Sequence, residues 1–529
     1  MKTLNVAIQS RADLPRTYEA LESFSWELFL SYKQLEEKYR KLSKQQYGRS
    51  SEKLSTTDGE QMRLEELLAG VEPAPEEAVS ETVVTVPAHS RRTKHPGRNA
   101  IPDDVEKQEV IHDIDPGQKI CEHCNKPKAV LFTKEHTTVE RIPATYEVVV
   151  HRYPVYGCPQ CKDTPVKAEP QVLPIAKGIA GVGLLCFVIL SKYLYHLPLY
   201  RIQRQIYHES RIWFSRQTMA GWVRQIAGLL RRLYDELLIE YQQSRIKHAD
   251  DTSLPVQRNE GSGTVHQGFL WAGLGVGEEP VGIFRYHPHR SGEGAKQLLK
   301  DSSRGSYLMI DDCASFNKPV KEYDLRAQLC MAHARRQFIE AVECGYQASF
   351  GRRVIRIIGH LYRLERFADA KDFTLEQRTE LRRTVSMRIL GQLKYRLENP
   401  GFVKIPNSAM AKAIEYLLSK WDRVIRYCES GDLPIDNNAL ERLIRTVVIG
   451  RNNWIKAGAE SGAQWMGIIY SIIATCTLNK VNVHEYLPDV LMRLAIRAAD
   501  QRVKDLLPAA WKKSKASQGE TTDMKYSKN

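Results

Sequence analysis

Two short apolar segments, each running into an aspartate, constrain the fold more than any other feature of this 529-residue chain. Residues 246–249 lead into Asp250, and residues 306–310 lead into Asp311. Both segments have the length and apolar content of buried strands. If the two strands are neighbours in one sheet, the aspartates at their ends lie side by side. The pattern therefore predicts a sheet with a pair of carboxylates at one edge.

The remainder of residues 241–500 alternates between strand and helix patterns, which predicts a mixed α/β region. Residues 345–430 form an exception, because their pattern is almost wholly helical. The further predicted strands are 268–274, 281–286 and 325–330, and the predicted helices are 292–300, 333–342, 436–446 and 463–478.

Glu441, on the predicted helix 436–446, is the candidate for a third carboxylate at that edge. Three gathered carboxylates repel one another unless cations lie between them, and Mg²⁺ takes oxygen ligands of this kind. Two Mg²⁺ ions about 4 Å apart would activate an attacking oxygen and stabilise the leaving oxygen of an in-line displacement at phosphorus. Alternatives stay open: Glu441 could lie on an ordinary exposed helix face. Asp251 or Asp312 could also replace its neighbour, because adjacent strand side chains point to opposite faces.

Basic side chains near these carboxylates are candidates for contacts with phosphate. They are Arg442, Arg445 and Arg451, which follow Glu441, and Arg335 and Arg336 on the predicted helix 333–342. Just before this pair, Cys330 and His333 have a spacing typical of metal ligands. No second half-site is apparent, so we interpret Cys330 as a packing residue.

Two C-x-x-C pairs predict a small metal-binding module. The pairs are Cys121 with Cys124 and Cys158 with Cys161. Four thiolates complete a closed tetrahedral zinc site, and such a site is structural because no position is left for a substrate. Zinc binding would supply folding energy to a module this small. Two alternatives stay open: four reduced thiols without metal, or replacement of a cysteine ligand by His123 or His151. Ten cysteines are too sparse for a disulfide scaffold, which indicates a reducing compartment.

The N-terminal segment 16–54 has the pattern of one long helix. Leucines recur at every seventh position, at Leu21, Leu28, Leu35 and Leu42, and Tyr32 and Tyr39 extend the same stripe. Such a stripe is typical of a coiled coil, but also of an amphipathic helix packed on its own chain. An acidic and then basic linker follows at 55–100.

A surplus of positive charge favours a polyanionic partner. The chain has 77 Lys and Arg against 63 Asp and Glu, a net charge of +14, which suits nucleic acid. Residues 171–240 have helical patterns, with Ser215 as the predicted cap of a helix that begins at Arg216 and Gln217. Two short helices followed by a capped helix suit a helix-turn-helix on DNA. Helical packing without DNA contact suits the pattern equally.

Taken in order, these motifs resemble those of DDE transposases of bacterial insertion sequences, specifically the IS66 family. The resemblance extends from about residue 16 to 500. It rests on the segments 47–54, 97–98, the two cysteine pairs, 192–201, 248–252, 310–314, 330–338, 436–442 and 450–454. Each motif alone is weak, but their order is specific.

The resemblance implies a ribonuclease-H-like catalytic core with a helical insertion between the second aspartate and the glutamate. It assigns the catalytic triad to Asp250, Asp311 and Glu441, which would bind Mg²⁺ or Mn²⁺. Four residues depart from the family pattern without removing a triad member; they are Asp251, Asp312, Cys313 and Thr446. Asp312 adds a charge beside the expected metals, which puts the activity of this copy in question.

The predicted function is therefore that of a DNA transposase, which cuts element ends and joins them to target DNA. Its predicted partners are double-stranded DNA at terminal inverted repeats and target sites, a second subunit, and accessory proteins encoded by the element. A catalytically decayed DNA-binding regulator and a metal-dependent nuclease without strand transfer are the alternatives. The longest apolar run, 178–190, is too short to span a bilayer, so we expect a cytoplasmic, nucleoid-associated protein without membrane contact.

The predicted fold class is multidomain α+β. The predicted segments are an N-terminal helix or coiled coil (1–54), the linker (55–100), a zinc ribbon (101–170), a helical DNA-binding region (171–240), the first part of the ribonuclease-H-like core (241–344), the helical insertion (345–430), the second part of the core (431–500), and a basic tail (501–529) that we expect to be frayed beyond Leu507.

Overall fold

The computed structural model describes residues 17–47, 146–152, 155–156, 166–167, 171–176, 178–257 and 264–517. The predicted linker and the four cysteines of the predicted zinc ribbon, Cys121, Cys124, Cys158 and Cys161, lie outside the described residues. Within residues 101–170 the structure describes one short antiparallel ladder, in which Val155–Tyr156 pairs with Val166–Lys167.

The described elements confirm a mixed α+β fold. The strands of the main sheet are β1 (Ile246–Gln257), β2 (Val265–Val276), β3 (Val281–His287), β4 (Tyr307–Ile310) and β5 (Arg326–Leu329). The α-helices are α1 (Tyr18–Tyr47), α2 (Val182–Tyr193), α3 (Leu199–Ser210), α4 (Arg216–Gln243), α5 (Gly292–Leu299), α6 (Asn317–Glu322), α7 (Met331–Glu343), α8 (Ala348–Ala370), α9 (Leu375–Leu381), α10 (Met387–Glu398), α11 (Ala409–Leu418), α12 (Trp421–Ile425), α13 (Asn438–Trp454), α14 (Glu460–Leu478), α15 (Val483–Ile496) and α16 (Pro508–Ser517).

The five strands form one sheet in the order β3-β2-β1-β4-β5. The pairs β1–β2 and β2–β3 are antiparallel, whereas β1–β4 and β4–β5 are parallel. All five strands lie where the sequence predicts them, but β1 is longer than predicted. It continues to Gln257 because β2 pairs with it along its whole length, with Asp250 opposite Ala272. Asp250 therefore lies within a strand and does not follow it.

One helix of the predicted DNA-binding region, α4, packs against this sheet. Ser215 caps α4 as predicted, since its hydroxyl accepts a hydrogen bond from the Thr218 N–H at 3.0 Å. The helix α4 extends to Gln243. Its C-terminal half buries Leu233, Leu237 and Tyr241 in the same hydrophobic core as the apolar residues of the sheet. The first turn, with Arg216 and Gln217, stays exposed. The 171–240 region and the sheet therefore fold around one hydrophobic core.

The segment 345–430 is helical, as its pattern predicts, and has its own core. Helices α7 to α12 enclose a second cluster of buried apolar residues, separate from the core beneath the sheet. A single π-helical turn, Arg382–Ser386, joins α9 to α10. The insertion is thus a helical body that leaves the sheet after β5 and returns to it before α13.

The N-terminal helix α1 contacts the insertion through polar side chains. Glu37 accepts a hydrogen bond from the Ala409 N–H at 2.6 Å, at the start of α11, and Gln34 donates to the Pro406 carbonyl at 3.2 Å. The leucine stripe faces away, and its four members are 42–66% exposed. Packing on the same chain therefore uses the polar face, and the coiled coil stays a prediction for the apolar one.

The basic tail is more ordered than expected. Beyond Leu507 the chain forms α16, and the Trp511 side chain is 1% exposed. Its indole N–H donates to Asp489 at 2.7 Å and its ring meets Tyr486 edge-on. A buried tryptophan with its polar atom satisfied is sufficient to fix such a helix.

In the described parts of the chain, no helix combines the length and the apolar content needed to cross a bilayer.

A buried ion pair inside the insertion gives a test of this fold. The Arg382 side chain is 2% exposed and binds both carboxylate oxygens of Glu365, at 2.9 and 2.6 Å. It also donates to the carbonyls of Tyr427, Ser430 and Leu433. Replacing Arg382 by Met removes the bidentate partner of a buried carboxylate, which keeps only Arg378 at 3.2 Å, and leaves three carbonyls without their donor. We therefore expect the free energy of unfolding to fall by about 3 kcal/mol.

Denaturant unfolding measures this loss, and Arg231→Met is the matched control. Arg231 pairs with Asp235 at 2.9 Å, but both side chains are more than half exposed. Such a pair contributes at most about 1 kcal/mol. Equal losses of unfolding free energy in the two variants would contradict a stabilising role of the buried pair between Arg382 and Glu365.

Candidate active site

The parallel pairing of β1 with β4 brings the two predicted aspartates to the same level of the sheet. His248 on β1 is in register with Met309 on β4. Asp250 and Asp311 each lie two residues further along their segments. Because β4 ends at Ile310, the sheet opens beside Asp250 at this point. The predicted pair of carboxylates therefore lies where β1 loses its parallel neighbour.

Asp311 and Glu441 both lie close enough to Asp250 for their charges to affect its pKa. Burial raises the pKa of the Asp250 carboxyl to about 7, and the nearby carboxylates of Asp311, Asp251 and Glu441 add to this increase. Helix α13 carries Glu441 in its first turn and packs on β1. The three predicted triad residues thus lie near one another, but within the described residues their three carboxylates are not a set whose metal-ligating atoms all lie within 4.8 Å of one another.

Asn437 connects the elements that carry these carboxylates. Its side chain is fully buried, and its amide nitrogen donates to Asp250 at 3.3 Å. Its amide oxygen lies 2.8 Å from Nδ1 of His248. Burial lowers the pKa of His248 to about 4, so this imidazole is neutral at pH 7 and holds its proton on Nδ1 for that bond. Asn437 therefore fixes the start of α13 against β1.

The insertion holds the loop that carries Asp311. The Tyr416 hydroxyl donates to the Asp311 carbonyl at 2.9 Å. Asp312 has a φ of +71°, a conformation that aspartate tolerates better than most residues. Its carboxylate pairs with Arg423 at 2.6 Å and with Lys420 at 3.4 Å. The extra charge that the sequence places beside the triad is therefore neutralised by two cations from the insertion.

Asp251 also has a cation of its own. The Arg290 guanidinium contacts both of its carboxylate oxygens, at 3.1 and 3.0 Å. Burial raises the pKa of Asp251, and Arg290 opposes this increase. Both neighbours of the triad aspartates are thus paired within the chain, whereas no arginine or lysine is in salt-bridge contact with Asp250 or Asp311 among the described residues.

Glu441 has a second set of neighbours that sequence reasoning missed. His333 Nδ1 lies 3.7 Å from one oxygen of Glu441, and the Arg336 guanidinium lies 4.0 Å from the other. Within the described part of the chain, one set of three metal-ligating side chains has all donor atoms within 4.8 Å of one another. It joins Glu441 to Cys330 and His333. The spacing of Cys330 and His333 indicates a pair of metal ligands from the sequence alone. The third residue, Glu441, lies on a helix distant in sequence, so spacing could not identify it.

The predicted phosphate contacts are placed in different surroundings. Arg442 and Arg445 are exposed on α13, and Arg216 and Gln217 are exposed on α4. Arg335 and Arg336 lie half-buried on α7, with Arg336 directed to Glu441. Arg451 instead donates to the Ser253 carbonyl and to its hydroxyl, the latter at 2.9 Å, so it holds α13 against β1.

Comparison with known proteins identifies the family that this chain is similar to. A family model described as "Transposase IS66 family" matches residues 177–465, more than half of the chain. A model of the IS66 C-terminal element matches residues 471–509, and one described as "Transposase C of IS166 homeodomain" matches residues 34–110.

Three relatives from Sinorhizobium fredii (strain NBRC 101917 / NGR234) are similar over most of their length. The uncharacterized protein y4hP is 27% identical over 512 residues, which cover 91% of this chain and 89% of that protein. The uncharacterized protein y4jD is 26% identical, with 89% and 93% covered. The uncharacterized protein y4qI is 28% identical, with 72% of each covered.

The raised pKa of Asp250 predicts how stability depends on pH when no divalent cation is present. Between about pH 4 and pH 7 the unfolded carboxyl is ionised while the folded one keeps its proton. The folded state then binds more protons, so stability falls as the pH rises through this window. Asp250→Asn removes the charge, and we expect it to stabilise the protein at pH 8 in EDTA by about 1–3 kcal/mol.

The control for this prediction is Asp312→Asn, which changes the same chemistry at a paired carboxylate. It loses the ionic contacts with Arg423 and Lys420, so the expected change has the opposite sign. Thermal unfolding in EDTA between pH 4 and pH 8 measures both variants. A lower stability of Asp250→Asn at pH 8 would show that the carboxylates do not repel one another in the folded state.

Proposed function

Because the chain belongs to the IS66 family of transposases, we propose that it cuts the ends of its insertion element and joins them to target DNA. The observation that carries the proposal is the gathering of Asp250, Asp311 and Glu441 where β1 loses its parallel neighbour. A five-stranded mixed sheet with Asp250 on its central strand supports a ribonuclease-H-like catalytic core. The helical body at 345–430 supports the prediction that the core carries a helical insertion between Asp311 and Glu441.

The three carboxylates fit divalent cations. Burial, and after it the neighbouring carboxylates, raise the pKa of Asp250 to about 7, and a cation would offset both effects. Asp250, Asp311 and Glu441 would therefore hold Mg²⁺ or Mn²⁺. Bound there, these ions would activate the attacking oxygen and stabilise the leaving oxygen of an in-line displacement at phosphorus.

The residues around the triad would orient the reacting groups. Asn437 holds the Asp250 carboxylate from one side, and Tyr416 holds the Asp311 backbone from the insertion. The exposed guanidiniums of Arg442 and Arg445 follow Glu441 on α13 and would contact the DNA backbone. In the proposed first step, water attacks the phosphorus at the element end and the P–O3′ bond breaks, which leaves a 5′-phosphate and frees a 3′-hydroxyl. In the second step that hydroxyl attacks a target phosphodiester and displaces its 3′ oxygen.

Other parts of the chain would recognise the element ends and pair them. The exposed start of α4, with Arg216 and Gln217, would enter the DNA groove beside terminal repeats. Cys121, Cys124, Cys158 and Cys161 would hold one structural Zn²⁺ in a zinc ribbon. The exposed leucine stripe of α1 would join two subunits, since two ends must be brought together, and accessory proteins of the element would complete the assembly.

The alternative function is that of a catalytically decayed regulator. The feature that favours it is Asp312, whose additional charge would disturb cations bound at the triad. In the structure Arg423 and Lys420 neutralise this carboxylate. A nuclease without strand transfer differs only in its products, so the reaction products decide between the two activities.

We expect Mg²⁺-dependent cleavage of a labelled duplex that carries the element's own end. Glu441→Gln and Asp250→Asn should lower the cleavage rate by about 10³-fold or more, because each removes a charge that the cations require. Asp250→Asn should still bind the duplex. Cleavage gels and binding isotherms measure the two properties, and joined products with added target DNA identify strand transfer.

The matched control for cleavage is Glu340→Gln, which neutralises an exposed carboxylate on α7. It should cleave at the wild-type rate. Full cleavage by Asp250→Asn would refute the role of the triad, whereas specific binding without cleavage by the wild-type protein would favour the regulator.

The leucine stripe gives a separate prediction for subunit pairing. Leu28 and Leu35 are 54% and 66% exposed, so replacing both by Glu places charges in the proposed seam without disturbing the core. We expect this variant to sediment as a monomer at concentrations where the wild-type protein is a dimer. Glu27→Lys changes the charge of the same helix away from the stripe and should not dissociate it. A wild-type monomer in analytical ultracentrifugation would exclude the seam.

A further inference from the structure

The first turns of two helices bring a thiol, an imidazole and a carboxylate together beside the triad. Cys330 immediately precedes α7, and His333 lies in its first turn. Glu441 comes from the first turn of α13, more than 100 residues later. Their donor atoms all lie within 4.8 Å of one another, and His333 Nδ1 is 3.7 Å from a Glu441 oxygen. These distances are close to the spacing of ligands around one metal ion.

Two of the three donor atoms of this cluster lack a hydrogen-bond partner among the described residues. His333 Nδ1 and Oε1 of Glu441 are both buried and form no hydrogen bond with the described residues. Buried polar atoms are nearly always satisfied in native proteins, so two facing each other call for an explanation. The Cys330 sulfur is also buried and accepts the Asn437 N–H at 3.2 Å. A cation between the three would satisfy all of them.

We propose that Cys330, His333 and Glu441 bind a thiophilic divalent cation of the Zn²⁺ class. Sulfur and imidazole ligands favour Zn²⁺, whereas Mg²⁺ takes oxygen ligands. Three protein ligands leave a fourth position for water. The side chains of His333 and Glu441 are 21% and 31% exposed, so the ion can reach the site from solvent.

The surroundings are compatible with a metal-bound thiolate. Burial raises the pKa of the Cys330 thiol to about 12, while the N–H groups of His333 and Asn437 oppose this increase. A bound cation supplies the positive charge that the buried sulfur needs to lose its proton. Arg336 approaches the other oxygen of Glu441, at 4.0 Å, so it does not occupy the same position.

Occupancy of this site would change the availability of Glu441. This consequence rests on the proposed function, in which Glu441 serves the oxygen-ligand site with Asp250 and Asp311. A carboxylate engaged with Cys330 and His333 is directed away from that site. Zn²⁺ would then inhibit the Mg²⁺-dependent reaction, and chelation of Zn²⁺ would restore it.

The test is spectroscopic and independent of activity. The full-length protein is saturated with Zn²⁺ so that the four-cysteine ribbon is filled, and loosely bound Zn²⁺ is removed. Co²⁺ is then titrated, and the thiolate-to-cobalt absorption is recorded. We expect one further Co²⁺ per chain with this absorption. Cys330→Ser should lose the absorption and weaken binding by about 100-fold or more, because even outer-shell partners are worth about 10–100-fold.

Two variants keep the test decisive. Serine accepts the Asn437 N–H as cysteine does, so Cys330→Ser should fold, and His333→Ala removes a different ligand of the same site. Cys344→Ser, at the other end of α7, is the matched control and should bind Co²⁺ like the wild-type protein. Unchanged absorption in Cys330→Ser and His333→Ala would overturn the proposal. Co²⁺ binding is measured without DNA, so a negative result would not contradict the proposed transposase activity. Conversely, a protein that fails to cleave DNA could still bind Co²⁺ at Cys330 and His333.

Discussion

The buried hydrogen bonds of Asn437 hold the candidate active site together. This side chain contacts His248 and Asp250 on β1, and its backbone N–H donates to Cys330 at the end of β5. Three chain segments far apart in sequence are thereby joined at one residue. Because a fully buried amide that loses its partners is costly, this arrangement fixes the position of α13. The place of Glu441 beside the sheet depends on it.

The electrostatic cost of the site is distributed unequally. Asp251 and Asp312, the neighbours of the triad aspartates, each have arginine or lysine partners within the chain. Asp250 has no such partner among the described residues, and its pKa is raised to about 7. The neighbours of the two aspartates are therefore neutralised within the chain, whereas Asp250 and Asp311 have no arginine or lysine in salt-bridge contact among the described residues. This contrast is what the proposed cation site requires.

The helical insertion takes part in building the site. Its core is separate from that of the sheet, yet Tyr416, Arg423 and Lys420 contact the loop that carries Asp311 and Asp312. From α8, Tyr362 donates to Asp436 at 3.0 Å, directly before the helix of Glu441. The insertion thus contacts the backbone of Asp311 and the segment that leads into α13.

The amino-acid sequence by itself determined the features that depend on local patterns. Alternating and apolar segments placed the five strands, the Ser215 hydroxyl marked the start of α4, and the helical periodicity of 345–430 appears as helices. The tertiary structure decided what depends on distant partners. Strand β1 continues through Asp250 because β2 pairs with it, and the tail forms α16 because Trp511 finds a buried site. Neither the ion pairs of Asp251 and Asp312 nor the meeting of Glu441 with Cys330 and His333 follows from spacing along the chain. Such contacts join residues separated by tens to hundreds of positions, and only the packing of helices on the sheet and of the insertion on its loop brings them within reach.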